Sequence, residues 1–208
     1  MELIPYSKNG VSFLVVKNIY DTEELFLIQK ELDFLWYGLS FSRDKKYLST
    51  AILEDGTMLA DRSGLWLDFF YKDRESSLIL RLNRKPYRDN TIREAFSKLN
   101  PYHYHYLKLN ADGTLLQYYE ESDYYKPHSD LAVFSLVTWF CKEPKKFVGG
   151  NFKFTDLDIT IEIENNMTVI FPSFLRHEVE EVKMLETDKF NPLGRFSMTQ
   201  FFVYDYNK

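Results

Sequence analysis

The chain lacks the features of several protein classes. It has a single cysteine, which excludes an internal disulfide and favours a reducing compartment. Its longest uncharged stretches, residues 131–141 and 165–175, have eleven residues each, whereas a membrane-spanning helix needs about 20. Positive charge is not in excess, because the formal net charge is −5. A general attraction to nucleic acid or to an acidic membrane is therefore not expected, and small-molecule or protein partners are favoured.

The chain start also lacks the pattern of a secretory signal. Met1-Glu2-Leu3 is not a basic segment followed by an apolar one, so we expect a cytoplasmic location. The single cysteine, Cys141, follows Trp139 and Phe140 in an apolar stretch, and we expect it to be buried and inert.

Aromatic residues, by contrast, are abundant. They make up 17% of the 208 residues, and 45% of the chain is hydrophobic. That content can fill the core of a single domain, 1–208, and flat rings pack well on the faces of β-sheets. We expect residues 1–100 to form a helical and loop support region and residues 101–208 to form a jelly-roll core.

The support region begins with a strand at 11–19 and an amphipathic helix over 21–38. Residues 40–75 show turn signals and charges, which predict long connections that could form a lid or a substrate wall. Periodicity leaves 65–71 undecided between strand and helix. Two further helices are predicted at 76–82 and 89–99.

After Pro101 the hydrophobic period changes to two, which is typical of strands. We expect a strand at 102–107, a turn at Asp112-Gly113 and a returning strand at 115–119. Further short strands are predicted at 131–141, 151–155, 158–163, 168–171, 177–183 and 195–204. The pattern indicates a mainly β (α+β) fold, a double-stranded β-helix or jelly-roll barrel with supporting N-terminal helices.

His128-Ser129-Asp130 is the segment with the clearest chemical potential. Side chains alternate along a strand, so His128 and Asp130 point to one side. A second histidine from a neighbouring strand would complete the two-histidine, one-carboxylate arrangement that binds non-haem Fe(II). His177, at the start of another predicted strand, is the candidate.

A rival metal pair is His103-x-His105, because both rings would share one face of the predicted strand 102–107. It has no carboxylate beside it. Histidines flanked by tyrosines in a strand are more often structural, so we favour His128, Asp130 and His177.

The last predicted strand places Arg195, Ser197 and Thr199 on one face. An arginine inside a barrel needs an anionic partner, because its unpaired burial is costly. A dicarboxylic co-substrate chelated to the metal would supply that partner through two parallel hydrogen bonds.

Four segments in this order resemble motifs of the prolyl 4-hydroxylase-like group of 2-oxoglutarate and Fe(II)-dependent oxygenases. Tyr125-Lys126-Pro127-His128-Ser129-Asp130 is similar to the family's Tyr-x-Pro-His-x-Asp, and Gly149-Gly150-Asn151-Phe152 to its Gly-Gly strand start. Phe171-Pro172-Ser173 with His177-Glu178-Val179 resembles the distal histidine motif, and Arg195-x-Ser197-x-Thr199 the co-substrate strand. The resemblance covers the C-terminal half well and the N-terminal half loosely.

The resemblance implies roles for individual residues. His128, Asp130 and His177 would be the catalytic Fe(II) ligands, Arg195 would bind the distal carboxylate of 2-oxoglutarate, and Tyr119, with Thr199, would line the co-substrate pocket. Implied cofactors are Fe(II), 2-oxoglutarate and O2, with ascorbate as a candidate reductant. The implied activity is hydroxylation of a substrate with release of succinate and CO2.

One residue and one spacing depart from the family pattern. Ser122 stands where the family often has glycine, which could reshape the loop beside the metal. The step from His177 to Arg195 is longer than usual and suggests a surface excursion at 183–193.

Other functions stay open on the sequence. A barrel of the same ancestry could be a non-catalytic binding module, and a zinc hydrolase could use the same three ligands, although Arg195 would then have no obvious partner. For an oxygenase, a prolyl residue in a peptide or protein, a free amino acid and an alkylated base are the candidate substrates. We expect the prolyl residue. Phe201 occupies the position where the nucleic-acid demethylase branch usually carries a second arginine, which argues against a nucleic-acid partner.

Overall fold

A computed structural model describes residues 1–38 and 58–206. The strands in this part of the chain are β1 (Glu2–Lys8), β2 (Val11–Lys17), β3 (Ala60–Asp61), β4 (Ser63–Trp66), β5 (Ala111–Tyr119), β6 (Tyr124–His128), β7 (Phe134–Phe140), β8 (Phe147–Gly149), β9 (Phe152–Phe154), β10 (Ile159–Ile161), β11 (Met167–Pro172), β12 (His177–Val179), β13 (Val182–Met184) and β14 (Arg195–Val203). The α-helices are α1 (Thr22–Tyr37), α2 (Leu67–Phe70), α3 (Leu78–Leu82), α4 (Lys85–Arg88) and α5 (Asn90–Ser97). Short 3₁₀ helices lie at Arg74–Ser76, Pro101–Lys108 and Glu186–Asp188.

Two antiparallel sheets form the barrel. The larger sheet has the order β1-β2-β11-β7-β14-β5-β4, and the smaller one β10-β9-β12-β6-β3. A separate pair, β13-β8, lies at the sequence excursion. The predicted jelly-roll barrel with supporting helices is thereby confirmed.

The central strands of the larger sheet are buried on both faces. Along β7, Leu136 and Phe140 pack into one hydrophobic cluster with the helices, whereas Val137 and Trp139 pack into a second cluster with the smaller sheet. This alternation follows from the two-residue period of a strand. The second cluster is the barrel interior. Arg195 and every second residue after it in β14 face the same side.

The predicted first helix is confirmed as α1. Asp21 caps it: its side chain accepts a hydrogen bond from the backbone of Glu24, whose side chain accepts one from the backbone of Asp21. Such a capping box satisfies amides that the first turn leaves free. Ile28, Leu32 and Leu35 are fully buried, so this face covers the larger sheet.

The predicted strand at 102–107 is wrong. Residues Pro101–Lys108 form a 3₁₀ helix, which Asn100 caps by accepting from the backbone of Tyr102. Proline suits the first helical position, because it has no amide hydrogen to leave unpaired. The alternation of tyrosine and histidine therefore did not reflect a strand.

The predicted turn at Asp112-Gly113 is also wrong. Both residues lie inside β5, where they pair with Phe202 and Phe201 of β14. Strand β1 was missed, and 65–71 divides into the end of β4 and the short helix α2.

The remaining segments follow the prediction closely. Strand β2, helices α3 and α5, and the predicted later strands lie where the sequence placed them, except that 177–183 is split into β12 and β13. Helix α4 and strand β8 were not predicted. Cys141 is buried, and burial raises the pKa of its thiol to about 11, which keeps it unreactive.

Part of the predicted connection 40–75 lies outside the described residues. The division of the chain at residue 100 stays a prediction, although β1 to β4 join both large sheets. In the described ranges 1–38 and 58–206, no helix is both long and apolar enough to cross a membrane.

Candidate metal centre and adjoining pocket

The candidate metal centre lies on the smaller sheet. His128 is the last residue of β6 and pairs directly with His177, the first residue of β12. Their ring centroids are 4.3 Å apart. Antiparallel pairing therefore brings together two histidines that are far apart in the sequence.

Asp130 lies just after β6 and completes the cluster. One carboxylate oxygen is 3.7 Å from Nε2 of His128 and the other is 3.7 Å from Nε2 of His177. The ligand atoms of the three residues all lie within 4.8 Å of one another. This is a spacing that a single cation can bridge.

Hydrogen bonds fix the orientation of Asp130. Its backbone N–H donates to Ser173, and Ser135 donates from Oγ to its carboxylate at 2.6 Å. The hydroxyls of Ser135 and Ser173 are 2.8 Å apart. Hydrogen-bonded groups behind a ligand position it for the metal.

Both histidines expose the same ring nitrogen to the cluster. Nδ1 of His128 is 2.9 Å from the carbonyl oxygen of Lys126, and Nδ1 of His177 is 2.8 Å from that of Leu175. A carbonyl accepts only from N–H, so Nε2 of each ring keeps its lone pair. Burial, aided at His128 by its neighbour His177, lowers both pKa values to about 4, so both rings are neutral at pH 7.

Arg195 lies deeper in the barrel and is 1% exposed. Its guanidinium carbon is 4.6 Å from the ring centroid of Tyr119 and 5.9 Å from that of Trp139. Nη1 donates to Ser197, whereas Nε and Nη2 have no hydrogen-bond partner in the described part of the chain. Burial lowers its pKa to about 10, which leaves it charged at pH 7.

The Gly-Gly strand start packs against this arginine. Gly149 and Gly150 have φ of +71° and +64°, and a Cβ on Gly150 would lie 3.0 Å from Cδ of Arg195. Glycine is thus required both for the backbone conformation and for the close approach. Ser122, where the family often has glycine, also has a positive φ, of 66°.

A cavity of about 320 Å³ joins these groups. All six residues proposed from the sequence line it: His128, Asp130, His177, Arg195, Tyr119 and Thr199. Tyr125 stacks on His128 with ring centroids 3.5 Å apart and also lines the cavity. The structure therefore brings the whole predicted set to one place.

Two aromatic residues on strands of the larger sheet lie away from the mouth of the cavity. Tyr118 packs against Trp36 in the cluster on the helix side of the larger sheet. Trp139 is 1% exposed and fills the barrel core.

The two histidines of the rival pair have different surroundings. His103 is buried against Phe96, and its Nδ1 is 3.0 Å from the carbonyl oxygen of that residue. His105 is exposed and bonds to the hydroxyl of Tyr204. Within residues 1–38 and 58–206, the only group of three or more histidine, cysteine or acidic side chains with metal-binding spacing is His128, Asp130 and His177.

Sequence reasoning missed Arg62, which also lines the cavity and is 3% exposed. Its residue type was visible in the sequence, but nothing there indicated that it is buried beside His128.

Comparisons with known proteins agree with this geometry. Residues 113–203 match the model of the 2OG-Fe(II) oxygenase superfamily. No curated protein matches the chain significantly.

Several solved structures share the fold. A prolyl-4-hydroxylase from Pseudomonas putida is 14% identical, with a TM-score of 0.62 over 93% of this chain and 92% of that one. A prolyl hydroxylase from Trichoplax adhaerens, in complex with a hypoxia inducible factor peptide fragment, is 13% identical, with a TM-score of 0.62 over 94% and 84%. The viral collagen prolyl hydroxylase of Paramecium Bursaria Chlorella virus-1, in its 2OG complex, is 13% identical, with a TM-score of 0.55 over 93% and 96%.

At these identities the structural matches establish the fold, and the family match adds the cofactors Fe(II), 2-oxoglutarate and O2. Residues 113–203 are thus similar to the 2OG-Fe(II) oxygenase superfamily, and the chain shares its barrel fold with prolyl 4-hydroxylases.

Proposed function

We propose that the protein is a 2-oxoglutarate- and Fe(II)-dependent dioxygenase that hydroxylates a prolyl residue of a peptide or protein and releases succinate and CO2. The observation that carries the proposal is the convergence of His128, Asp130 and His177 in a cavity that also holds the buried, unpaired Arg195.

The three side chains fit Fe(II). Two neutral imidazoles and one carboxylate on one side of an ion leave positions open on the other side, as non-haem Fe(II) oxygenases require. Ser135 holds the carboxylate of Asp130, and backbone carbonyls hold both rings in the tautomer that ligates through Nε2.

Arg195 fits a carboxylate. Its free Nε and Nη2 lie in a barrel interior, where an unpaired charge is costly and a bidentate partner is favourable. Tyr119 stacks beneath the guanidinium and keeps it in place. We assign the distal carboxylate of 2-oxoglutarate to this arginine, with Tyr119 and Thr199 as walls of the pocket. When bound, the co-substrate and O2 supply the oxidation: one oxygen atom enters succinate, formed with CO2, and the other enters the product hydroxyl.

Aromatic residues at the mouth support a prolyl substrate. Tyr125 lies beside the metal cluster, and Trp66 and Phe201 line the outer cavity with ring centroids 5.5 Å apart. Phe69, which is 84% exposed, continues this surface next to Trp66. Flat rings pack well on a proline ring and on an extended peptide. The peptide-bound Trichoplax adhaerens enzyme, which shares the fold, is consistent with such an occupant.

The test combines a co-substrate readout with a product readout. The Fe(II)-loaded protein is incubated with 2-oxoglutarate and one of three pools: proline-rich peptides, free amino acids or methylated single-stranded DNA. We expect succinate together with the mass gain of one oxygen atom on a prolyl residue, and neither in a His177→Ala control. Hydroxylated product found only in the other two pools would contradict the prolyl substrate but support the oxygenase activity. Absence of succinate in every pool would support a non-catalytic barrel.

A further inference from the structure

Arg62 lies where the chain crosses from one sheet to the other. Just before it, Ala60 of β3 pairs with Tyr125 in the smaller sheet, and just after it, Gly64 of β4 pairs with Gln117 in the larger sheet. The side chain at the crossing lies inside the mouth of the barrel and lines the cavity of the metal cluster. The crossing therefore explains how a charged residue outside the recognised motifs reaches the site.

The position of Arg62 is fixed from two sides. When the amide oxygen of Gln117 faces Arg62, it accepts hydrogen bonds from Nε at 2.7 Å and from Nη2 at 3.2 Å. The amide nitrogen of Gln117 then donates to Thr199 at 3.1 Å. Its guanidinium carbon is 4.9 Å from the ring centroid of Tyr125. These contacts occupy one edge and one face of the guanidinium, and Nη1 is left buried without a hydrogen-bond partner in the described part of the chain.

Among the described residues, no acidic side chain that lines the cavity forms a salt bridge with Arg62. Asp130 is the only acidic residue among the described residues that line it, against the two arginines Arg62 and Arg195. Neither arginine forms a salt bridge within residues 1–38 and 58–206. The charges of Fe(II) and of the 2-oxoglutarate dianion cancel, and Asp130 offsets one arginine. One positive charge is therefore left for a further anionic ligand, because a buried charge needs a partner.

We propose that Arg62 binds a carboxylate of the substrate, next to the residue that is hydroxylated. The inference rests on the proposed function and makes it more specific: the peptide carries an acidic side chain or its own terminal carboxylate beside the reacting prolyl ring. Nη1 makes this contact, while Gln117 and Tyr125 hold the rest of the guanidinium. Trp66 and Phe201, farther out, receive the apolar part of the peptide.

The experiment measures binding directly, so that it does not depend on turnover. Prolyl peptides with Asp or Glu beside the proline are compared with Asn or Gln counterparts, and peptides with a free C-terminus with their amides. Free proline and prolinamide form a third pair. Dissociation constants are measured by calorimetry on protein loaded with Mn(II) and 2-oxoglutarate, for the wild type, Arg62→Gln, Arg62→Lys and the surface control Arg81→Gln.

In at least one of these pairs, we expect the wild type and Arg81→Gln to bind the ligand with the carboxylate at least tenfold more tightly than its neutral counterpart, a difference of about 1.4 kcal/mol. Arg62→Gln should lose this preference and Arg62→Lys should keep part of it, while the affinity for 2-oxoglutarate and the unfolding temperature stay near wild type. The inference would be overturned if the wild type and Arg62→Gln showed the same preference for the carboxylate. It would also be overturned if Arg62→Gln weakened only the binding of 2-oxoglutarate.

The choice of pairs separates the two proposals. An Arg62-dependent preference seen only with free proline would support the contact between Arg62 and a carboxylate but contradict the proposed peptide substrate. Succinate formation, measured in parallel, reports on the oxygenase activity without reference to Arg62.

Discussion

His128 and His177 are direct partners across the antiparallel pair of β6 and β12, with ring centroids 4.3 Å apart. On its other side, His177 pairs with Phe154 of β9. Since alternate residues of a strand face opposite sides, a slip of one residue would turn a ligand out of the cavity. The candidate metal centre therefore depends on the register of the smaller sheet as well as on the types of residue present.

The first prediction concerns the three proposed ligands. Replacing His128, Asp130 or His177 with alanine removes one donor from a site with no spare, so Fe(II) affinity should fall by at least about 100-fold, and turnover with it. Direct titration of the apoprotein with Fe(II) under anaerobic conditions measures the affinity. The matched control His105→Ala, at the protein surface, should bind Fe(II) as the wild type does. Loss of Fe(II) in that control, with retention in His177→Ala, would contradict the assignment.

The second prediction concerns Arg195. Lysine keeps the charge but loses the planar, two-point contact with a carboxylate, so Arg195→Lys should weaken 2-oxoglutarate binding at least tenfold, about 1.4 kcal/mol. Fe(II) affinity should persist, because Arg195 is not one of the proposed ligands. Calorimetric titration with 2-oxoglutarate in the presence of Mn(II) checks this. Unchanged affinity in the variant would rule out Arg195 as the co-substrate anchor.

The candidate site was largely predictable because its signals are local in sequence. The segment from Tyr125 to Asp130 contains two of the three proposed ligands, and the strand from Arg195 has a two-residue period that places Thr199 on the same face. The pairing with His177 is not local, yet the order and spacing of four motifs implied it.

The parts that could not be predicted depend on contacts between distant segments. Arg62 is a functional candidate only because the chain changes sheets at that residue, and no local pattern shows such a crossing. The alternation of Tyr102, His103 and Tyr104 has the period of a strand, but the Asn100 cap and Pro101 start a 3₁₀ helix instead. Here the start signals of a helix outweighed the periodicity.

The third prediction concerns Ser135, a positioning residue behind Asp130. Its hydroxyl donates to the Asp130 carboxylate at 2.6 Å, so Ser135→Ala leaves that carboxylate freer to rotate. We expect Fe(II) affinity to fall by about 10- to 100-fold, as is usual when a group supporting a metal ligand is lost. Ser135→Thr, which keeps the hydroxyl, should restore part of the affinity.

The control for Ser135 lies on the same strand. Thr138 shares a hydrogen bond of 2.7 Å with Thr168, remote from the ligands. Thr138→Val should lower the free energy of unfolding without changing Fe(II) affinity. If Ser135→Ala behaves in the same way, the role of Ser135 is only structural.

The last prediction is a pH dependence of stability that arises at His103. This ring is 1% exposed and stacks on Phe96 at a centroid distance of 4.1 Å. Burial lowers its pKa below the usual value, although hydrogen bonds to the backbone act in the opposite direction. In the unfolded chain the pKa is about 6.5. Above that pH His103 is neutral in both states and adds no pH dependence.

As the pH falls below about 6.5, the unfolded state takes up a proton that the folded state resists, so the free energy of unfolding decreases by up to about 1.4 kcal/mol per pH unit for this group. In His103→Gln, which cannot titrate but can still donate to the carbonyl of Phe96, the decrease between pH 7 and 5 should be smaller. Urea unfolding of the metal-free proteins measures it, and the contributions of His128 and His177 are common to both. Parallel stability curves for the wild type and the variant would show that His103 takes up its proton equally in both states.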